Sequence, residues 1–550
     1  MVDSRALISM AWRLIVAAGL LHLVLIQPNH PAAMTPQALL LFPLELPVIL
    51  LALIAMPARV WWVRGLRGLL VGILLLLVIS KAADYATFVA YNRAFNPLVD
   101  MGLIHAAWML GSGSIGVPLA MGVVGVLVVL SAVLAWLLWW ATGVWSALQP
   151  PPLPRVAAGA MAMPALALMI GEIGQARGAW NMPVEPRGAA FTARVALERV
   201  VTYRQTLEDL ADFRRAARED PFTRSDRRAL LNAIGDHDVL LTYVESYGRS
   251  SFQNPLYIDT HVGRLWDIER RLDEQGLAMR SAYLTAPMVG GQSWLAHSTI
   301  ASGLWIDNQG RYRALLASPR RTLFHYASAA GFRTAAIMPA ITMSWPEADF
   351  FGFEVIHAAR DLEYAGERYN WVTMPDQFTM KSMDRLERAL PAGEGRAPLF
   401  AQIALISSHA PWLPVPPVID WNVIGDGTVF NEWANDGDPP EVVWRDNDRV
   451  REKFRLAVDY SLEVVGSYAE RHAADPPLMI VLGDHEPARF VSQVDGFDVP
   501  IHIIGPQHLV ERIADWGWTE GMVPDEDAPV WRMDAFRDRF LVAFTHLDED

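Results

Sequence analysis

The stretch "DVLLTYVESYGRSSF" (238–252) changes character at a single residue. Val239 to Val244 is apolar, β-branched or aromatic, and predicts a buried strand. Glu245 stands where that strand ends, followed by the small and polar run Ser246, Gly248, Arg249 and Ser250. Taken alone, Glu245 is either a solvated residue leaving the core or a carboxylate held at a strand end for chemistry. What the other strand ends carry decides between the two.

Downstream, short apolar runs alternate with helical stretches. Strands are expected at 239–244, 333–339, 353–357, 399–407, 478–484 and 499–505, and helices at 264–276, 321–331, 378–390 and 448–473. That alternation predicts an α/β/α sandwich on a mainly parallel sheet. Ligands of such sheets bind outside the carboxyl ends of the strands. Three of those ends carry chemistry: Glu245, His409 in "SSHAP", and Asp484 with His485 in "GDHEP". Carboxylate and imidazole together suit a divalent ion, Zn²⁺ or Mn²⁺.

Phosphoryl transfer through such an ion also needs a nucleophile. The chain has no cysteine, so the nucleophile must be Ser or Thr. In "TAPMVGGQSWLAHSTIASGLW" (285–305), Gly290 and Gly291 permit a tight turn before a helical stretch that opens at Ser293. A serine at a helix N-cap is commonplace. A helix N-terminus also favours an alkoxide and binds phosphate oxygens. Ser298, Thr299 and Ser302 compete with Ser293 for the role.

The rest of the 550-residue chain divides by charge. Residues 1–175 hold 8 Lys or Arg and 5 Asp or Glu; residues 176–550 hold 38 and 55. An acidic domain of that size gives no reason to expect a nucleic-acid partner. Five apolar segments, 6–26, 37–56, 68–88, 117–142 and 156–175, are candidates to cross a bilayer of about 30 Å. Arg59, Arg64 and Arg67 follow the second segment and Arg155 precedes the fifth, whereas the loop after the first has no Lys or Arg. An N-terminus inside and a C-terminal domain outside satisfies this pattern. The expected organisation is therefore an all-α transmembrane bundle (1–175), a juxtamembrane helical linker (176–236) and a periplasmic or extracellular domain (237–550) on a bacterial cytoplasmic membrane. Glu45, Lys81 and Asp84 inside the spans either mark a headgroup path or pair between helices. The segment 90–108 is either an amphipathic surface helix or a connecting loop.

With membrane spans, "VESYGRS", "GGQSWLAHS", "SSHAP" and "GDHEP" in this order, the chain resembles the alkaline-phosphatase/sulfatase superfamily over nearly its whole length. More narrowly it resembles the membrane-anchored bacterial branch, the lipoteichoic-acid synthases and phosphoethanolamine or phosphoglycerol transferases. The resemblance implies Glu245, Asp484 and His485 as metal ligands and Ser293 as nucleophile and further ligand. It implies one divalent ion, with room for a second, and His409 in contact with the substrate phosphate or that second ion. Trp345, in "SWPEADFFGFE" (344–354), matches a headgroup-holding position. Arg249 and His297, within the quoted motifs, are the other candidates for substrate contact; Arg249 can equally form a structural salt bridge. The sequence departs from these relatives in three ways. Serine replaces their usual threonine, Glu347 stands where the synthases have a phosphate-binding arginine, and the cysteines of the disulfide-braced transferases are missing. No Cys-x-Pro-x-Arg motif is present, which disfavours a sulfatase.

The resemblance implies transfer of a phospholipid headgroup phosphate, through a phospho-serine, to a glycan or lipid-linked hydroxyl. Two rivals stand beside it: a phosphodiesterase or phosphatase with water as acceptor, and a catalytically silent membrane sensor or lipid-binding regulator. The sequence leaves the oligomeric state open.

Overall fold

The computed structural model describes residues 4–91, 93–183, 188–224, 230–390, 393 and 395–546. The chain forms two compact units, Met1–Val89 with Arg93–Asp209, and Ala90–Asn92 with Leu210–Asp550. The division falls inside the helix Phe191–Ala216. Of the expected linker 176–236, residues 184–187 and 225–229 lie outside the described residues.

Among the described residues four helices are long and apolar enough to cross a membrane: Ile8–Ile26, Trp61–Tyr91, Val117–Ser146 and Pro152–Ala176. The expected second span, 37–56, is broken. It forms Pro36–Leu39 and Glu45–Ala55, and the latter has 11 residues, roughly 16 Å at 1.5 Å per residue. Pro43 and Pro47 lie in this run, and proline cannot continue a helix without losing a hydrogen bond. Side chains such as Val126, Leu127, Val128 and Val129 are exposed in sequence, an all-round apolar surface that suits lipid rather than water. Ala17, Leu21, Leu74, Leu138 and Ala141 form the packed interior. Segment 90–108 becomes helical at Pro97, where Asn96 caps the helix by accepting from Leu98 N–H. Lys81 Nζ donates to Thr192 Oγ1 (2.7 Å) and Leu25 O (3.3 Å). Glu45 accepts from Ala193 N–H at 2.8 Å, and Asp84 pairs with Arg199. All three thus meet the start of the helix Phe191–Ala216, Asp84 through an ion pair and Lys81 and Glu45 through hydrogen bonds, with Glu45 Oε2 buried and unpartnered.

The second unit is built on one nine-stranded sheet: β1 (Val239–Val244), β2 (Leu277–Thr285), β3 (Arg333–Met338), β4 (Val355–Ala358), β5 (Leu399–Leu405), β6 (Leu478–Gly483), β7 (Asp498–Pro506), β8 (Thr519–Glu520) and β9 (Val530–Arg532). The order is β4-β3-β5-β1-β6-β7-β2-β8, with β9 beside β2. Strands β4 to β6 in that order are mutually parallel, and β7 runs against both β6 and β2. The sheet is thus mixed, with a parallel centre. Alternation along β1 sends Leu240 and Val244 into one core, with helices Ile258–Asp273, Asp376–Glu387 and Asn447–Arg471. It sends Val239, Leu241 and Tyr243 into the other, with helices Ser293–Ser302 and Phe536–Ala543. Helices on both faces make an α/β/α sandwich.

Register sets the site. Val244 is level with Leu405 on one side and with Gly483 on the other. One residue further along, Glu245, Ile406 and Asp484 emerge in a row at the carboxyl edge. At the opposite end Asp238 holds the same strands, accepting from Arg388, Arg396 and Leu399 N–H, each at 2.7 Å.

Candidate metal and phosphoryl-transfer site

Two backbone features bring the side chains together. A Cβ on Gly483 would overlap Tyr247 O, so only glycine lets the turn after β1 lie across the end of β6. Ser246 and Gln292 adopt left-handed backbone, with φ of 59° and 68°. Such conformations cost about 1 kcal/mol in non-glycine residues and gather at functional sites. Gln292 directly precedes Ser293, the first residue of its helix, after the left-handed pair Gly290 and Gly291. Ser293 is therefore one position inside the helix and not at its cap.

Ser293 Oγ donates to Glu245 Oε2 at 3.0 Å and lies 3.4 Å from His485 Nε2. His485 Nε2 is 3.3 Å from Glu245 Oε1 and 3.9 Å from Asp484 Oδ2. Asp484 Oδ1 accepts the Ser246 and His485 N–H groups, both at 2.8 Å. His485 Nδ1 lies 2.9 Å from Glu486 O, which keeps the proton on Nδ1 and turns the Nε2 lone pair towards the carboxylates. Asp484 Oδ2 is buried with no partner.

Lone pairs of a carboxylate, an orphaned carboxylate oxygen, an imidazole and a hydroxyl thus converge, with ligand atoms of Glu245, Asp484 and His485 within 4.8 Å of one another. Such a set favours positive charge at its centre, either a proton on His485 Nε2 or a metal cation. Its spacing of 3.0–3.9 Å brackets the roughly 3.3 Å separating ligands in a tetrahedral shell with bonds of about 2.0 Å. The donor set fits Zn²⁺ or Mn²⁺. Among the described residues it is the only such group. The same demand for positive charge appears in the protonation of the residues. Burial lowers His485, but Asp484 and Glu245 outweigh it and push His485 up to about 9. Burial and then the Glu245 carboxylate raise Asp484, whereas His485 brings Glu245 below the usual carboxylate range.

The competing nucleophiles are engaged elsewhere. Ser298, Thr299 and Ser302 donate to the carbonyls of Trp294 (2.6 Å), Leu295 (2.8 Å) and Ser298 (2.7 Å) in their own helix.

A cavity of about 470 Å³ opens beside Ser293 and Glu245 and takes in His297, Trp345, Glu347 and His409. His409 Nδ1 is 2.6 Å from Ala410 O, leaving Nε2 as the accepting nitrogen. The turn bearing His409 is tied down by Asp376, which accepts from Ile406 N–H (2.7 Å), Ser407 N–H (2.9 Å) and Ser461 Oγ (2.7 Å). His297 packs against Tyr243 in a tilted ring contact with centroids 3.9 Å apart, and its buried Nε2 has no partner. Burial pushes His297 down to about 4, so the ring is neutral at neutral pH. Arg249 is not in this cavity. It pairs with Asp498 at 2.9 Å, lies over Tyr283 and donates to Glu526 O, which is the structural alternative raised by its sequence context. Sequence reasoning missed Gln292, whose amide N and O are both buried, unpartnered and on the cavity wall. It also missed Tyr312, Trp294 and Asp376. Only Gln292 and Trp294 had a signal, their adjacency to Ser293.

No family model and no curated protein matches the chain. Solved structures do. The chain is similar to a protein of the alkaline phosphatase superfamily from Vibrio parahaemolyticus (17% identity, TM-score 0.34, 55% of this chain and 69% of that one). It is similar to the C-terminal periplasmic domain of EcEptC from Escherichia coli in complex with Zn (13%, 0.33, 50% and 73%). It is also similar to the Streptococcus pyogenes phosphoglycerol transferase GacH in complex with sn-glycerol-1-phosphate (11%, 0.36, 61% and 91%).

Proposed function

We propose that the chain is a metal-dependent phosphotransferase that moves the headgroup phosphate of a membrane phospholipid, of phosphoethanolamine or phosphoglycerol type. The acceptor in this reading is a glycan or lipid-linked hydroxyl at the outer face of a bacterial cytoplasmic membrane. One observation carries the reading: Ser293 Oγ is hydrogen-bonded to Glu245 inside a cation-demanding cluster, at the N-terminus of a helix and at the mouth of a cavity.

Glu245, Asp484, His485 and Ser293 would hold the ion. When bound, a divalent cation there lowers the pKa of the serine hydroxyl and polarises a phosphoryl oxygen. The chain's own groups account for the rest. Ser293 Oγ forms a bond to phosphorus as the bond from phosphorus to the diacylglycerol oxygen breaks. The serine proton ends on that oxygen. The free N–H groups at the start of Ser293–Ser302 face the phosphoryl oxygens. In the second step the acceptor hydroxyl attacks phosphorus, its proton returns to Ser293 Oγ, and the serine is restored. His409, across the cavity, serves the departing and entering alcohols.

With water as acceptor the same steps give a phosphodiesterase. Incubation with phospholipid labelled in the glycerol and in the headgroup separates the two: labelled diacylglycerol without a labelled acceptor means hydrolysis. A silent lipid-binding regulator would bind neither Zn²⁺ nor Mn²⁺ and would leave generic phosphodiesters intact. The outward placement of the second unit is part of the proposal.

A further inference from the structure

We propose, resting on the phosphoryl-transfer reading, that the cavity beside Ser293 selects a phosphodiester whose headgroup carries an ammonium group over one ending in a neutral polyol. The phosphate is served at one end of the cavity by Ser293 and the cation-demanding cluster. The headgroup beyond it faces a different chemistry. The described wall has no Lys or Arg; its one carboxylate besides Glu245 is Glu347. Glu347 is exposed, and no ion pair to it occurs among the described residues, so its charge is free for a ligand.

Around Glu347 the wall is aromatic. Trp294, Tyr312, Trp345 and Phe351 line the same space. Trp345 is held by Phe351 and Phe353, with ring centroids 5.9 and 6.4 Å away. Tyr312 shares this wall with Trp345 and Glu347. Aromatic faces attract an ammonium and offer little to a hydroxyl group. Gln292 and Gln309 also reach the wall and serve either headgroup. The discrimination therefore rests on Glu347 and the rings.

The test uses the full-length protein in nanodiscs, loaded with Zn²⁺ or Mn²⁺, and follows diacylglycerol release. Phosphatidylethanolamine and phosphatidylcholine should exceed phosphatidylglycerol at least tenfold in kcat/KM. Glu347→Gln should cut that ratio about tenfold, Glu347→Arg should invert it, and Trp345→Ala should raise KM more than it lowers kcat. In parallel, calorimetry should find phosphocholine binding at least fivefold tighter than glycerol phosphate, with the difference lost in Glu347→Gln. Equal use of phosphatidylglycerol, or a ratio unmoved by Glu347→Gln, overturns the inference. If no lipid and no bis-p-nitrophenyl phosphate is turned over, the phosphotransferase reading fails, and the calorimetric comparison alone decides the ammonium preference.

Discussion

Ser293 Oγ and Glu245 Oε2 are 3.0 Å apart across 48 residues of sequence, and the other hydroxyls of the same helix bond its own carbonyls. The pair therefore ties the helix start to the end of the central strand, and Ser293 is the one hydroxyl of that helix turned to the carboxylate cluster, as the proposed nucleophile requires.

Ser293→Ala should lower phosphodiester turnover by about a thousandfold or more. After incubation with lipid, mass spectrometry should find a phospho-adduct on the Ser293 peptide of the native protein and none in the variant. Ser298→Ala should keep the adduct. An adduct at Ser298 or Thr299 would refute the assignment.

Chelation should remove activity, and readdition of Zn²⁺ or Mn²⁺ should restore it. Because the proposed cation site of Glu245, Asp484 and His485 exists only in the folded chain, chelation should also lower the thermal midpoint. Asp484→Asn should reduce metal content by elemental analysis and shrink that chelation shift.

Asp376→Ala leaves two buried N–H groups without their acceptor and removes the shorter hydrogen bond of the Ser461 hydroxyl. The expected loss is roughly 3 kcal/mol, read as a lower midpoint in near-UV circular dichroism. Asp376→Asn keeps one carbonyl oxygen and should be markedly milder. Both should lower kcat through the turn that carries His409.

Burial pushes His502 down to about 3 and His261 down to about 4. Each stays neutral in the folded protein while the unfolded side chain takes up a proton near pH 6.5. The unfolded state then binds more protons below pH 6.5. Stability is fully present above that pH and falls as the pH drops towards 4, by up to about 1.4 kcal/mol per pH unit per histidine. Thermal unfolding from pH 7 to 4 should follow this slope, and His502→Gln should reduce it by about one proton.

Reporter fusions at Leu148 and at the C-terminus test the topology. With the N-terminus inside, an outward domain requires an odd number of crossings, so a segment besides the four long helices, such as Glu45–Ala55 with the residues before it, has to complete one. A C-terminal reporter active only in the cytoplasm would refute the outward placement.

Much of the site was legible because parallel α/β sheets bring their chemistry to strand ends, and Glu245, His409, Asp484 and His485 each follow a plain apolar run. Strand β2 was not legible. "LAMRSAYLT" contains Arg280 and Ser281, which look solvated until Glu520 and His502 supply their partners more than 200 residues later. Strands β8 and β9 have two and three residues and exist only by pairing with β2. Arg249 was read with Glu245 because they are close in sequence, but the turn after β1 delivers it to Asp498. The broken second span is the reverse case: Pro43 and Pro47 were visible, and average hydropathy outweighed them.

Strand β1 is paired on both sides by segments made much later, with Leu478 more than 200 residues beyond its partner Val239. At about 5–20 residues per second of synthesis, the central strand waits roughly ten seconds or longer for its second neighbour. The core cannot close early behind the emerging chain. The second unit therefore stays pliable until most of it has been made, a property that the proposed outward placement would use, since an exported polypeptide crosses its channel before it folds.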